Sequence, residues 1–103
     1  MMPVVRISLG RFNVTDCDTI RKLLDDSQKT LIPAIRALKS NRAYYVGIDP
    51  ENNAMTNVSV CDTRTDAEQM ATLQPMLDLA KIFVDAGVRF ERPITNHEIL
   101  WTM

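Results

Sequence analysis

Polar side chains that could move a proton or bind an anion lie on three predicted strands. His97 is the only histidine of the chain. Because imidazole titrates near neutral pH, His97 could accept a proton at the mouth of a ligand pocket, or it could be exposed or hydrogen-bonded within the sheet. Asn57 and Ser59 share one strand face, and their expected partners on the first strand are Ser8 and Arg6. Since buried polar groups need partners, Arg6 could bind a carboxylate or phenolate, or an acidic residue across a dimer interface.

Aromatic and methionine side chains could form the wall of such a pocket. Tyr44 and Tyr45 are consecutive in a predicted strand, so they point to opposite faces. One is expected in the core, and we take Tyr45 as the pocket wall. Trp101 could stack on an aromatic ligand, or pack in the core or at a dimer contact. Met76 and Phe83 have the helical spacing of core residues and could also line a deformable pocket.

Composition and charge exclude several classes of function. Twelve basic and thirteen acidic residues give a net charge of −1, so we expect no nucleic-acid partner. No apolar run approaches the ~18 residues that a membrane span needs, so we expect no membrane partner. Cys17 and Cys61 do not form a CxxC motif, and a single histidine offers no metal-ligand pattern. We therefore expect free thiols, a cytoplasmic location, and neither a metal nor another cofactor.

Four segments have the composition and alternation of strands: 3–12, 42–49, 54–61 and 96–102. The second and third are expected to form a hairpin, because Asp49-Pro-Glu-Asn-Asn53 is a turn sequence in which one asparagine can adopt the left-handed conformation. The pattern leaves open which face of the last strand carries His97 and Trp101.

Two helical regions follow from apolar spacings of three and four residues. The first covers about 17–39, with Pro33 expected to kink or break it near Ile32. Thr65-Asp-Ala-Glu68 is a capping box that opens the second region. This region is expected to divide at Gln74-Pro75 and to end at Gly87.

The order β-α-β-β-α-β indicates an α+β, ferredoxin-like fold in one domain over residues 1–103. Right-handed crossovers place both helices on one face of a four-stranded antiparallel sheet. The residues expected on the uncovered face are mainly apolar: Val4, Ser8, Phe12, Tyr45, Met55 and Cys61. A second sheet would cover them, so we expect a homodimer.

The stretch Val58–Glu68, where a strand runs directly into an acidic-capped helix, and the closing segment Glu98–Trp101 carry a resemblance to a known group. With the element order and length, they make the chain similar to dimeric α/β-barrel proteins, and among these to antibiotic-biosynthesis-monooxygenase-like domains. The resemblance implies a small pocket between sheet and helices in each subunit, for an apolar or aromatic ligand. Some relatives oxidise phenolic polyketides or quinols with molecular oxygen and no metal or flavin, by holding an ionised phenol.

The resemblance therefore implies a cofactor-independent monooxygenase that acts on a small aromatic or polyketide-like substrate. In this hypothesis His97 is the acid–base catalyst, and Asn57 and Arg6 stabilise the oxyanion. The substrate-binding residues are Tyr45, Trp101, Ser59, Met76 and Phe83. Residues 62–66 lack the tryptophan that many relatives have at this helix start, which leaves a non-enzymatic ligand-binding or stress-associated dimer as the alternative. Residues 64–86 contain no histidine, so the iron ligand of haem-degrading relatives is missing.

Overall fold

The computed structural model describes residues 3–103, so Met1 and Met2 of the predicted domain lie outside it. The strands and α-helices are β1 (Val4–Arg11), α1 (Cys17–Arg36), β2 (Asn41–Asp49), β3 (Ala54–Cys61), α2 (Arg64–Ala67), α3 (Gln74–Asp85), β4 (Arg89–Phe90) and β5 (Thr95–Glu98). Single 3₁₀ turns precede α1 and follow α2. No helix in this part of the chain is long and apolar enough to cross a membrane.

The strands form one antiparallel sheet in the order β2-β3-β1, with both β4 and β5 paired to the free side of β1. Together β4 and β5 occupy the position of the predicted fourth strand, and the ferredoxin-like fold is thereby confirmed. The predicted last strand, 96–102, is wrong at its C-terminal end, because pairing with β1 stops at Glu98. The bend at Arg92 and Pro93 separates β4 from β5, since proline has no N–H to donate to the ladder.

Helix α1 buries the apolar stripe that its spacing predicts: Ile20, Leu24, Leu31 and Ile35 are all buried. Of the kink or break expected near Ile32, the break does not occur, and the helix continues through Pro33 to Arg36 rather than to residue 39. Proline removes a single intrahelical hydrogen bond, and the exposed Pro33 lies between two anchored residues, Leu31 and Ile35. Packing of this stripe therefore outweighs the local cost of proline.

The second helical region divides where the sequence predicts, and α3 begins with Pro75 in its first turn. It ends before Gly87, which has a φ of +101°. The N-terminal cap differs from the prediction. The Thr63 hydroxyl, not that of Thr65, accepts a hydrogen bond from the backbone N–H of Asp66 at 3.0 Å. Both threonines precede an acidic residue by three positions, so the sequence alone does not distinguish them.

The helices cover the face of the sheet that the sequence analysis predicts to be uncovered. Of the residues expected on the uncovered face, Phe12 and Met55 pack with Ile20, and Val4 and Cys61 pack with Ala67, all on the helix side. Ser8 lies on this side as well. Strand β1 carries Val5, Ile7 and Leu9 on the side away from the helices and the polar Arg6 and Ser8 on the helix side, so its alternation favours the wrong face for the core.

The side of the sheet away from the helices carries its own apolar surface, which we call the open face. Strand pairing places Val5 opposite Val60, and Ile7 opposite Val58. The open face consists of Val5, Ile7, Leu9, Tyr45, Val58 and Val60. Of the residues predicted to be uncovered, only Tyr45 belongs to it.

Candidate functional site

A cavity of about 280 Å³ lies between the sheet and helices α1 and α3. A dry cavity of about 150 Å³ can hold benzene, so this one suits a molecule of one or two rings. Its apolar wall consists of Leu24, Leu31, Val46, Met55, Met70, Met76, Leu77, Leu79, Ala80, Phe83, Phe90 and Ile94. The predicted pocket residues Met76 and Phe83 both lie in this wall.

Polar side chains form the sheet side of the cavity, which we call the polar floor: Arg6, Ser8, Tyr44 and Asn57. Strand pairing brings them together, because Ser8 lies opposite Asn57, and Ser59 lies opposite both Arg6 and Tyr44. The predicted partners of Asn57 and Ser59 are thus confirmed. Ser59 is buried between its two neighbours, does not line the cavity, and its hydroxyl oxygen has no hydrogen-bond partner among the described residues.

Tyr44 supplies a hydroxyl group that is held in place by Asn57. The Asn57 side-chain amide donates a hydrogen bond to the Tyr44 hydroxyl oxygen at 3.1 Å. Burial raises the pKa of Tyr44, and hydrogen bonds to Gln28 and Asn57 act in the opposite direction. The phenol therefore stays protonated near neutral pH. Because its oxygen accepts from Asn57, its own O–H can donate to a ligand oxygen in the cavity.

Arg6 is a buried cation, with 5% of its surface exposed. None of the ion pairs found within the described range, residues 3–103, includes Arg6. Burial lowers the pKa of Arg6, and the positive charge of Arg92 lowers it further. A guanidinium nevertheless remains protonated in proteins. Arg6 thus brings a positive charge to the polar floor.

Arg92 is a second cation at the cavity, and it was not predicted. It is exposed and its guanidinium carbon lies 5.6 Å from the centre of the Phe90 ring, a cation–π arrangement. Neither an acidic residue nor a histidine is among the cavity-lining residues of the described chain. The electrostatic character of the cavity is therefore positive.

Three predicted site residues lie away from this cavity. His97 pairs with Val5, so it is exposed on the side of the open face and does not reach the cavity mouth of its own chain. Tyr45, 58% exposed, belongs to the open face. Trp101, 76% exposed, lies beyond the end of β5 at Glu98 and therefore outside the paired strand. The expected placement of all three at the cavity is wrong.

The tyrosine that lines the cavity is Tyr44 and not the predicted Tyr45. A signal for this choice exists in the sequence, because Tyr44 alternates with Val46 and Ile48, which both pack towards the helix-side core. Arg92 has no comparable signal, since it lies in an irregular segment whose path depends on tertiary structure.

Neither cysteine takes part in the cavity. Cys17 is half-buried, Cys61 is buried, and both are free thiols, as predicted. Burial raises the pKa of the Cys61 thiol, which disfavours a reactive thiolate. Over residues 3–103 there is no group of three His, Cys, Asp or Glu side chains that could hold a metal ion.

Solved structures with this fold match nearly the whole chain. A protein from Nitrosomonas europaea, provisionally assigned as an antibiotic biosynthesis monooxygenase, is 13% identical with a TM-score of 0.73, and the match covers 97% of this chain and 92% of that one. A similarly assigned protein from Deinococcus radiodurans is 15% identical with a TM-score of 0.73, with 97% and 95% covered. A dimeric ferredoxin-like protein from an uncultured marine organism is 9% identical with a TM-score of 0.76, and both chains are fully covered.

No family model and no curated protein sequence matches the chain. Since the identities to these three structures are 9–15%, the similarities establish the fold and not the reaction. The chain has the α+β ferredoxin-like fold of proteins provisionally assigned as antibiotic biosynthesis monooxygenases.

Proposed function

We propose that this chain is a cofactor-independent monooxygenase that oxidises a small aromatic or polyketide-like molecule bound in the cavity. One observation carries the proposal: the hydroxyl of Tyr44, the amide of Asn57 and the guanidinium of Arg6 converge on the sheet side of a mainly apolar cavity. An apolar pocket with a few convergent polar groups is the usual form of a small-molecule site. This donor set suits an aromatic molecule with an ionisable hydroxyl group.

The polar floor would act by stabilising the ionised form of the substrate. The positive charge of Arg6 lowers the pKa of a nearby substrate phenol, so the proton can leave to solvent without a strong base in the cavity. Tyr44 and Arg6 then donate hydrogen bonds to the phenolate oxygen, and Asn57 keeps the Tyr44 hydroxyl in position. The electron-rich phenolate reacts with O₂. In the overall reaction one oxygen atom replaces two substrate hydrogens and the other leaves as water, so the substrate supplies all the electrons.

A second function, binding of a small ligand without chemistry, is favoured by a different observation. The cavity lining within residues 3–103 includes no carboxylate and no imidazole, so it offers no proton acceptor of ordinary strength. A binding protein needs none. The two functions share the cavity and its donors and differ only in turnover.

We also propose that the working unit is a homodimer formed through the open face. The apolar side chains of this face would be covered by the same face of a second copy, as in sheet-on-sheet packing. One structural neighbour is described as dimeric, which supports this arrangement.

The test is oxygen uptake by metal-stripped protein with a panel of anthrones, hydroquinones and catechols. The expected result is protein-dependent uptake that persists in the presence of a chelator, with one oxygen atom from isotope-labelled O₂ in the product. Saturable binding of panel compounds without any uptake would replace the enzyme by the ligand-binding function. Uptake that disappears with the chelator would contradict the cofactor-independent reaction.

A further inference from the structure

The cavity holds more positive charge than the polar floor needs for one ionised phenol. Arg6 and Arg92 both line it, and no acidic residue of the described chain does. Arg6 is 5% exposed and takes part in none of the ion pairs of residues 3–103. Burial of a charge is unfavourable unless the charge has a partner. The missing partner is therefore expected to be the anionic group of a ligand.

An acidic residue of a second subunit is a poor candidate for this partner. Arg6 lies on the helix side of β1, whereas Val5 and Ile7 form the open face through which a dimer would pack. A carboxylate on a subunit docked there would be separated from Arg6 by the sheet itself. The alternative of a bridge from Arg6 across the dimer interface is thus not supported.

The two guanidinium groups lie close enough to influence each other. The positive charge of Arg92 contributes to the lowered pKa of Arg6. Arg92 lies at the mouth, supported by the Phe90 ring, whereas Arg6 lies on the floor. Two planar guanidinium groups on one cavity can bind the two oxygens of a carboxylate, which a single phenolate oxygen would not require.

One unpaired side-chain oxygen at the cavity can accept a hydrogen bond from the ligand. The side-chain oxygens of Asn57, Ser59 and Asn96 are buried and have no hydrogen-bond partner among the described residues. Asn96 and Ser59 flank Arg6 in the sheet. Of these three residues only Asn57 lines the cavity, and its side-chain oxygen can accept a hydrogen bond from a ligand hydroxyl.

From these contacts we infer that the ligand is a hydroxylated aromatic carboxylate whose carboxylate is bound by Arg6 and Arg92. Its ring lies against the apolar wall near Met76 and Phe83, and its hydroxyl group faces Asn57 and Tyr44. The inference rests on the proposed function: it uses the same cavity and keeps Tyr44 as the donor to the hydroxyl group, and it adds the carboxylate as a second group bound by Arg6. It specifies the substrate class as aromatic acids rather than neutral phenols.

The experiment compares a hydroxynaphthoate with its neutral primary amide by isothermal titration calorimetry of the 103-residue protein. We expect the carboxylate to bind at least tenfold more tightly than the amide. Arg92→Gln, which changes an exposed side chain, should remove most of this preference, and Arg6→Gln should remove all of it. Arg89→Gln is the matched control, because Arg89 is exposed on β4 and does not line the cavity.

The inference would be overturned if the carboxylate and the amide bound with equal affinity, or if neither showed saturable binding. It would also be overturned if Arg89→Gln lost as much of the preference for the carboxylate as Arg92→Gln. Oxygen uptake separates this inference from the proposed function. If the hydroxynaphthoate binds with the expected preference but supports no uptake, the ligand class stands and the monooxygenase proposal loses support. If neutral phenols are oxidised and bind as tightly as the aromatic acids, the proposed reaction stands and the inference about the ligand class fails.

Discussion

Tyr44 is the residue whose titration the structure constrains most. Burial raises its pKa above the value of about 10 for tyrosine in an unfolded chain. Above that pH the unfolded chain has released a proton that the folded protein still holds. The stability contribution is therefore complete below about pH 10 and is lost as the pH rises through the raised pKa of Tyr44.

When the pH is raised from about 9 to about 11, the free energy of unfolding should fall less in Tyr44→Phe than in Tyr45→Phe, because only Tyr45→Phe retains the Tyr44 phenol. Urea denaturation at each pH measures this free energy. Tyr45→Phe is the matched control, because it removes the same atom from an exposed side chain. The raised pKa of Cys61 adds to the alkaline loss, but both variants retain Cys61, so its effect cancels in the comparison. Parallel pH profiles for the two variants would contradict a buried, protonated Tyr44.

At the scale of the elements, the missing side chain of Gly10 lets the core residues Met55, Val88 and Phe90 pack close to the backbone of β1. A Cβ atom on Gly10 would lie 2.8 Å from Val88 Cγ1 and 3.2 Å from both Met55 Cγ and Phe90 Cδ1. Gly10→Ala should therefore destabilise the protein by about 1–3 kcal/mol, the usual cost of overpacking. Gly47→Ala is the control, since its Cβ would make an ordinary contact at 3.4 Å with Thr56. Equal midpoints of thermal unfolding for the two variants would refute this tight packing.

The central strands were predictable because local patterns determine their register. The turn at 49–53 aligns β2 with β3, and the β1–β3 pairing that follows brings Arg6 beside Ser59 and Ser8 beside Asn57. The C-terminal strand was not predictable to the same degree. The register of this strand depends on how the irregular segment around Arg92 packs. The register in turn determines on which face of the sheet His97 lies and where the chain continues to Trp101.

The face assignment failed for a physical reason that also affected the site. Strand β1 carries the apolar Val5, Ile7 and Leu9 on the open face, whereas its helix side includes the polar Arg6 and Ser8. Alternation gives the period and not the side that the helices cover. The sequence therefore predicts the cluster that forms the polar floor, but it places Tyr45 at the cavity instead of Tyr44.

At the scale of the whole molecule, the open face should make the protein dimeric in solution. Ile7 lies in the middle of this face, opposite Val58. Ile7→Asp would place an uncompensated charge in the interface, so sedimentation equilibrium should find a dimer for the unmodified protein and a monomer for this variant. Val84→Asp, on a 55% exposed position of α3, is the control and should remain dimeric. A monomeric unmodified protein, or a dimer that persists in Ile7→Asp with a native circular dichroism spectrum, would show that this face is not the interface.

The most direct measurement of the proposed chemistry is substrate-dependent oxygen uptake by metal-stripped Tyr44→Phe and Tyr45→Phe, with the best substrate of the panel. Tyr44 donates to the ionised substrate oxygen in our proposal, whereas Tyr45 lies on the opposite face of the sheet. We expect kcat/KM to fall at least tenfold in Tyr44→Phe, or about 1.4 kcal/mol of transition-state stabilisation, and to stay near the unmodified value in Tyr45→Phe. Equal rates in the two variants would contradict a reaction at the polar floor.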